Sequence, residues 1–328
     1  MATKRLVILF FIFISNLFPC DYWINGLQQN YLNGSVSSIR LDTRYQLMDG
    51  LLRGSSAVKE SQNYKASHLT TYLTYNYNFN PIGISITFPF TKKNQENIFT
   101  IDPSGYLHFH HGDRSNLAGE YNLTDNFIEK YNASGIGDIV FLTRYTIFSE
   151  SGENNYNFNL QAGSTIPTGS IDSKDKFGYL LHPHLQNGTG TSILLFSLNG
   201  FLSDNLRSLS GNIMIGQPMK SKNIFQEATG VSYNVLYRHQ IQTNFIPINN
   251  FLTANIGFLG KNSGVEKYNG KDLTDSGGNY IFGILGTSLF FLENLMFEVN
   301  GQFSIYKNLK GTQLNEKFRI QTAFQYFL

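Results

Sequence analysis

Residues 135–148 read GIGDIVFLTRYTIF, two glycines and an aspartate followed by a run in which apolar and mixed positions alternate. Ile139, Phe141 and Tyr145 fall on one side of an extended chain, whereas Asp138 and Arg144 fall on the other. Successive side chains of a strand point to opposite faces, so the run predicts a strand with one apolar face and one charged face. Either a soluble sandwich or a membrane barrel would suit such a strand.

The composition of the chain favours a β-rich protein with polar loops. The 328 residues include only 15% charged and as many as 15% aromatic residues, against about 25% charged residues in average soluble proteins. The mean hydropathy of −0.20 is too low for a helical membrane protein. A formal net charge of +2 gives no electrostatic reason to expect nucleic acid as a partner.

The first twenty residues predict a secretory signal. Lys4 and Arg5 precede the apolar run LVILFFIFIS, which is shorter than the roughly 18 residues that a spanning helix needs. Cys20 either carries a lipid or lies beside the cleavage point, and Pro19 departs from the small residue that lipoprotein sites require. We therefore divide the chain into a signal peptide, 1–20, and an outer-membrane β-barrel, 21–328.

Alternation of apolar and polar residues continues along the whole mature chain, and no stretch sustains a helical period. The pattern predicts an all-β fold, a transmembrane antiparallel up-and-down β-barrel of bacterial outer-membrane type with about 12 strands, 14 being the alternative. The predicted strands lie near 39–47, 69–79, 84–90, 139–147, 156–162, 192–202, 206–217, 231–238, 251–259, 280–291, 297–305 and 318–328.

The connections between these strands decide in favour of the membrane barrel. Short turns alternate with long segments near 49–65, 92–134, 168–190 and 260–279, which is the layout of barrels with periplasmic turns and external loops. A soluble sandwich has no reason to sort its loops in this way. Closing the sheet pairs every backbone polar group, so strands of low overall hydropathy can cross the bilayer.

Three segments carry a resemblance to a known family: GIGDIVFLTRYTIF, FNLQAGSTIPTGS and HLQNGTGTSILLFSLNG, with GTQLNEKFRIQTAFQYFL at the end of the chain. Together they resemble the outer-membrane family named for the meta-pathway of phenol degradation. The resemblance implies an outer-membrane barrel, a porin-like transporter that passes small solutes. The positions that match the family's motifs are Gly135, Gly137, Asp138, Pro167, Thr168, Gly169, Gly188, Thr189 and Gly190.

The residue types at these motif positions indicate an architectural role. Gly135 and Gly137 permit a bulge or a steep bend where a strand enters the wall. Pro167 suits the end of a strand, and Gly169 can adopt the positive φ of a turn. We expect Asp138 to face the lumen at the outer rim and to accept hydrogen bonds from loop N–H groups.

Charged residues on the polar faces are the candidate lining of a solute path. Charges on a lumen wall tune selectivity, whereas charges on the lipid face cost roughly 2–4 kcal/mol at mid-depth. The alternative role is pairing with one another to stiffen the wall. The candidates are Arg40, Asp42, Arg44, Asp138, Arg144, Arg238, Glu298, Lys317 and Arg319.

Histidines in two predicted loops are weak candidates for a metal site. His108, His110, His111 and Asp113 form one group, and His182 and His184 belong to another; such side chains can bind Zn²⁺ or Cu²⁺. Exposed loop histidines are the simpler interpretation, so we predict no metal and no cofactor. Without a recognisable nucleophile motif the sequence also does not predict an enzyme.

The sequence leaves two functional classes open. One is an outer-membrane channel for passive diffusion of small solutes, either aromatic or apolar and weakly anionic. The other is a structural or adhesive barrel with a closed lumen and exposed loops. The expected partners are outer-membrane lipid and lipopolysaccharide, the barrel-assembly machinery through the C-terminal strand, and a small-molecule solute.

Overall fold

The computed structural model describes residues 37–58, 64–99, 127–174, 181, 183–219, 225–241, 251–268, 270–291 and 294–328. Eleven elements form one closed antiparallel ring, in which each pairs with its neighbours along the chain and the last pairs with the first. They are β1 (Ser38–Gly54), β3 (Tyr64–Phe79), β4 (Ile82–Phe99), β6 (Ile139–Glu150), β7 (Asn155–Ile166), β8 (Ile193–Ser203), β9 (Arg207–Pro218), β11 (Gly230–Ile241), β12 (Phe251–Ser263), β15 (Gly278–Phe291) and β16 (Leu295–Phe327).

Five shorter or lateral elements lie outside this ring. β2 (Ser56–Ala57) pairs with β1, and β5 (Phe127–Ile136) pairs with the far part of β4. β10 (Phe225–Gln226), β13 (Lys267–Tyr268) and β14 (Lys271–Asp272) form a separate small sheet. None of the described residues forms a helix long and apolar enough to cross a membrane.

The last element, β16, supplies two strands of the wall. Its first arm, up to Leu309, pairs with β15, and its second arm pairs with β1 from Leu309 to Phe327. Gly311 adopts φ 61° between the arms, and Gln302 on one arm donates a hydrogen bond to Gln321 on the other. With β16 counted as two arms the wall has twelve strands, which confirms the predicted all-β barrel and its approximate strand number.

The distribution of exposed and buried side chains in the wall is inverted relative to a soluble sandwich. On β1, Ile39 and Leu41 are exposed, whereas Arg40 and Asp42 beside them are no more than 1% exposed. On β16, Phe303 is exposed and Gln302 is buried. Apolar side chains that face outward suit hydrocarbon, and polar side chains that face inward line a lumen.

Two strands extend further than the alternation predicts. β1 continues to Gly54, and β4 continues to Phe99, where it meets β5. The segments 49–65 and 92–134, which we predicted to be loops, are therefore partly strand. Beyond the apolar belt both faces of a strand contact polar surroundings, so backbone pairing persists there without any alternation in the sequence.

The two ends of the barrel differ. At the short-turn end, residues 80–81, 151–154 and 204–206 join consecutive strands, and both ends of the barrel chain meet there, since the N–H of Leu328 donates to the carbonyl of Ser37 at 2.9 Å. At the opposite, long-loop end lie β2, β5, the small sheet and the connection 167–192.

The opening motif interrupts one strand of the wall, as its glycines predict. β6 pairs with the near part of β4 and β5 with the far part, and Gly137 and Asp138 stand between them. The N–H of Gly137 donates to the carbonyl of Pro89 at 2.8 Å, which keeps the interrupted strand attached to β4.

Candidate functional site

The inner wall of the barrel carries eight of the nine predicted charged candidates on its inward face or near its rim. Seven are buried: Arg40, Asp42, Arg44, Asp138, Arg238, Glu298 and Arg319. Arg144 is half-buried near the short-turn end, where its guanidinium hydrogen-bonds the side chain of Asn78. The alternation therefore predicted the inward face well.

Lys317 is the exception, and the prediction that it faces the lumen is wrong. Its side chain is exposed, while Glu316 beside it is buried. The pairing of β1 with β16 shifts register between Leu47 and Met48, opposite this position. A bulge inserts one extra residue and moves the following side chains to the other face, so Glu316 occupies the inward position expected for Lys317.

An inner network of ions crosses the lumen towards the short-turn end. Nη2 of Arg238 on β11 lies 3.2 Å from Oε2 of Glu298 on β16, and Nη2 of Arg40 on β1 lies 3.5 Å from Oε1 of Glu298. Arg40 also forms two hydrogen bonds to Asp42, at 2.8 and 2.9 Å. Because β12 and β15 separate β11 from β16 in the ring, the ion pair between Arg238 and Glu298 crosses the lumen. We call this ion pair the chord.

Amide and hydroxyl groups complete this inner network. Asn300 donates to Oε1 of Glu298 at 2.9 Å, and Ser288 donates to Oε2 at 3.1 Å. Gln321 donates to Asp42 at 3.1 Å, and Gln325 accepts from Arg40 at 3.0 Å. A buried carboxylate costs less free energy when its lone pairs are hydrogen-bonded, so these partners hold the charges in place.

Nearer the long-loop end, three buried cations lie over aromatic rings; we call this the cation–aromatic cluster. Cζ of Arg319 is 4.2 Å from the ring centre of Phe282, and Nζ of Lys261 is 5.6 Å from that of Tyr280. Cζ of Arg44 is 5.4 Å from the ring centre of Tyr72. Such contacts contribute about 0.5–2 kcal/mol each, more when the cation is desolvated.

One acid accompanies these three cations. Glu316 accepts a hydrogen bond from Nη2 of Arg319 at 2.7 Å and one from Gln46 at 3.1 Å. Lys261 also interacts electrostatically with Glu316. Neither Lys261 nor Glu316 was a sequence candidate: Lys261 falls in the segment 260–279 that was predicted to be a loop, and a bulge conceals the inward position of Glu316.

Apolar side chains surround the same cluster on the inner wall. Tyr280 and Phe282 are parallel, with ring centres 5.9 Å apart and planes at 6°. They pack in one buried group with five aliphatic residues, Leu52, Leu236, Leu259, Ile284 and Leu309. An apolar group on the inside of the barrel was not predicted, because these leucines fit the pattern of either face.

The family-motif residues meet at one junction at the edge of the barrel. Asp138 accepts hydrogen bonds from the N–H of Gly169 at 2.9 Å, the N–H of Thr189 at 2.8 Å and the hydroxyl of Thr189 at 2.6 Å. Thr168 donates to the carbonyl of Gly137 at 3.0 Å. The expectation that Asp138 accepts loop N–H bonds is confirmed, and the motif is architectural.

Two glycines at this junction allow backbones to touch. A Cβ on Gly188 would lie 2.2 Å from the carbonyl oxygen of Gly169, and a Cβ on Gly169 would lie 2.5 Å from Cα of Gly188. Both separations are too short for any side chain. Gly190 follows with φ 68°, a conformation that favours glycine.

The connection 167–192 is held against the inner wall by charged groups that we call the mouth cluster: Lys93, His184, Glu227 and Glu266. Nζ of Lys93 donates to the carbonyls of His184 and Gln186 at 2.7 and 2.5 Å. Nε2 of His184 lies 3.0 Å from Oε2 of Glu266.

Two groups of the mouth cluster have shifted pKa values. Burial raises the pKa of Glu227 to about 8, and the neighbouring Glu266 carboxylate adds to the rise. Burial opposes the charged form of His184, but the Glu266 carboxylate outweighs it and raises the pKa of His184 above its ordinary value. Near neutral pH, Glu227 is therefore mainly protonated, while the Glu266 carboxylate favours the cationic form of His184.

Most of the weak candidates for a metal site lie outside the described part of the chain. His108, His110, His111 and Asp113 lie outside the described residues, as does His182. Within the described ranges no group of three or more histidine, cysteine, aspartate or glutamate side chains could hold a metal ion.

The closed ring, the exposed apolar belt and the buried ionic lining define a β-barrel of outer-membrane type. No family model and no curated protein matches the chain. Among solved structures, the COG4313 outer membrane channel from Pseudomonas putida F1 is similar, with a TM-score of 0.64 at 11% identity over 94% of this chain and 100% of that one. At this identity the likeness shows the fold alone.

Two further structures are more distant. The β domain of the Bordetella autotransporter Brka has a TM-score of 0.44 at 8% identity, over 90% of this chain and 100% of that one. The CymD monoaromatic hydrocarbon channel has a TM-score of 0.41 at 7% identity, over 90% and 89%.

Proposed function

We propose that the protein is a channel of the bacterial outer membrane through which small solutes diffuse passively. The observation that carries this proposal is the ionic lining: in the inner network and the cation–aromatic cluster together, five cations and three acids are buried inside a wall whose outer face is apolar. Burying ions costs free energy unless they are paired. A barrel that served only as an anchor could be filled more cheaply by apolar or amide side chains.

The proposed solutes are small, weakly anionic molecules that are either aromatic or apolar. The aliphatic and aromatic group around Phe282 offers such solutes an apolar contact inside the lumen. The amide and hydroxyl groups near Glu298 offer hydrogen bonds that replace those lost from water. No step of this passage requires a reaction, so we propose a channel and not an enzyme.

Membership of the phenol meta-pathway family belongs to the same proposal. It is supported by the motif residues, which meet around Asp138, and by the likeness of the fold to the Pseudomonas putida channel. We further propose export through a cleaved signal peptide, contact with lipopolysaccharide, and recognition of the second arm of β16 by the barrel-assembly machinery.

A structural or adhesive barrel with a closed lumen is the second candidate. The chord between Arg238 and Glu298 favours it, because an ion pair that joins β11 and β16 past the two strands between them occupies part of the lumen cross-section. A twelve-stranded barrel is intermediate between barrels filled by side chains and the wide aqueous porins. Conductance therefore decides between the two candidates.

The test is single-channel recording of the purified barrel in planar bilayers, with Glu298→Ala compared with the wild type. A channel should conduct, and removal of the chord should raise its conductance about two-fold or more. Asp172→Asn, in the exposed part of the connection 167–192, is the matched control and should behave as the wild type. Absence of conductance in all three proteins would favour the closed barrel.

A further inference from the structure

The cation–aromatic cluster carries more positive than negative charge. Arg44, Lys261 and Arg319 are each no more than 2% exposed. Glu316 interacts with all three, and Asp42 of the inner network also interacts with Arg44. In the inner network, by comparison, two arginines face two acids. The excess charge of the barrel interior is thus concentrated in this cluster.

Aromatic faces compensate part of that excess, but they do not neutralise it. A ring attracts a cation through its quadrupole and carries no net charge. Nη1 of Arg319 has no hydrogen-bond partner among the described residues, although its other nitrogens bind Glu316. A buried guanidinium nitrogen without an acceptor is unfavourable, and an anion at this position would supply one.

The surroundings of the cations determine what kind of anion fits. Leu236, Leu259 and Ile284 belong to the buried apolar group that contains Phe282. A small inorganic anion would satisfy the cations but would make no contact of its own with these apolar side chains. An anion with an apolar body would satisfy both, because its charged end meets the cations and its body meets the aliphatic and aromatic side chains.

We propose that the cation–aromatic cluster is a binding site for amphiphilic carboxylates, meaning single-charge anions with an aromatic ring or a short apolar chain. The carboxylate binds Lys261 and Arg319, and the apolar body packs against Phe282 and Leu259. This inference rests on the proposed channel function, since it names the solute class that the lumen would retain. A site for these anions would slow their passage and make them compete with chloride.

Equilibrium binding to the purified, folded barrel tests the site, with benzoate as the probe. Benzoate should bind more tightly than acetate, which lacks the ring, than benzyl alcohol, which lacks the charge, and than benzylammonium, whose charge is reversed. Lys261→Met should weaken benzoate binding about ten-fold, because a charge-assisted contact is lost. Lys261→Arg should retain most of it.

Because Arg144 is itself a candidate for the lumen lining, Arg207→Met serves as the neutral control: it removes an exposed cation beside the short turn 204–206 and should leave benzoate binding unchanged. A heat-modifiability gel shows that each variant is folded. Equal binding of benzoate and benzylammonium, or no loss in Lys261→Met, would overturn the proposal.

Binding and conductance also separate the two proposals. If the barrel binds benzoate but does not conduct, the proposed binding site stands and the proposed channel function fails. If the barrel conducts but does not bind benzoate, the proposed channel function stands and the proposed binding site fails.

Discussion

Asp138 connects parts of the chain that lie far apart in sequence. Its carboxylate accepts hydrogen bonds from Gly169 and from both donors of Thr189. The acid thereby fixes the beginning and the end of the connection 167–192 to the interrupted strand. A single inward residue in this way determines where a long segment lies at the mouth of the barrel.

Asp138→Ala should release this connection. We expect the free energy of unfolding to fall by about 1–3 kcal/mol, because three donors lose their acceptor. Urea unfolding in detergent measures this change, and the rate of tryptic cleavage after Lys174 should rise. Asp172→Asn, an exposed change in the same connection, should alter neither. Unchanged cleavage in Asp138→Ala would contradict the assigned role.

Gly188→Ala should disturb the same junction by a different mechanism. The added methyl group would lie 2.2 Å from the carbonyl oxygen of Gly169, so the two backbones must separate, at a cost of about 1–3 kcal/mol. Gly152→Ala is the matched control, because a Cβ there meets no atom within 4 Å. The midpoint of urea unfolding should fall only for Gly188→Ala.

At the scale of a single strand, alternation was sufficient to predict the face of most residues but not of every one. The two faces of β1 were predicted correctly because lipid and lumen impose opposite preferences on successive residues. Lys317 was misplaced because a bulge shifts the register, and a bulge leaves no mark in an alternating sequence. The polar extensions of β1 and β4 were missed because no lipid selects one of their faces.

The first arm of β16 offers a direct test of the two faces. Phe303 faces outward and Gln302 inward. Phe303→Arg should impair assembly, because arginine on the lipid face costs roughly 2–4 kcal/mol at mid-depth, whereas Gln302→Arg should assemble. A heat-modifiability gel of outer membranes measures the folded fraction. Equal assembly of the two variants would show that the faces are misassigned.

At the scale of the whole molecule, the sequence predicted the ring but not the contacts across it. The partners Arg238 and Glu298 lie sixty positions apart, and whether two strands meet across a lumen depends on ring size and strand tilt. The apolar group around Phe282 was missed for the same reason. Sequence periodicity indicates whether each face of a strand meets lipid or lumen. Contacts across the lumen can be predicted only once the geometry of the closed barrel is known.

The orientation of the barrel can be tested on intact cells. Long loops outside and both chain ends in the periplasm are expected for this class of barrel. Added proteinase K should therefore cut within 92–134 or 168–190 and spare the turn 204–206. Cleavage at the turn with protection of both long segments would show that the barrel has the opposite orientation.

The charges of the lumen are distributed unevenly along its axis, and this distribution sets the expected ion selectivity. The cation–aromatic cluster carries an excess of positive charge, while the mouth cluster holds Glu227 and Glu266 against Lys93. Near pH 7 the mouth cluster adds no net negative charge, because Glu227 is mainly protonated and Lys93 balances Glu266. We therefore expect a mild anion preference, which declines as salt screens the lumen over roughly 8–10 Å.

Raising the pH should weaken this anion preference. Glu227 loses its proton as the pH passes about 8, which makes the mouth more negative. Lys93, His68 and Asp138 also face this region. Reversal potentials under a potassium chloride gradient between pH 6.5 and pH 9 measure the effect.

Glu227→Gln isolates the contribution of the carboxyl group. This variant keeps the shape of the side chain but cannot ionise, so its selectivity should change less between pH 7 and pH 9 than that of the wild type. Because the protonated acid and the amide are both neutral, the two proteins should agree near pH 6.5. Cation preference of the wild type at pH 6.5 would show that acids at the entrance outweigh the buried cations.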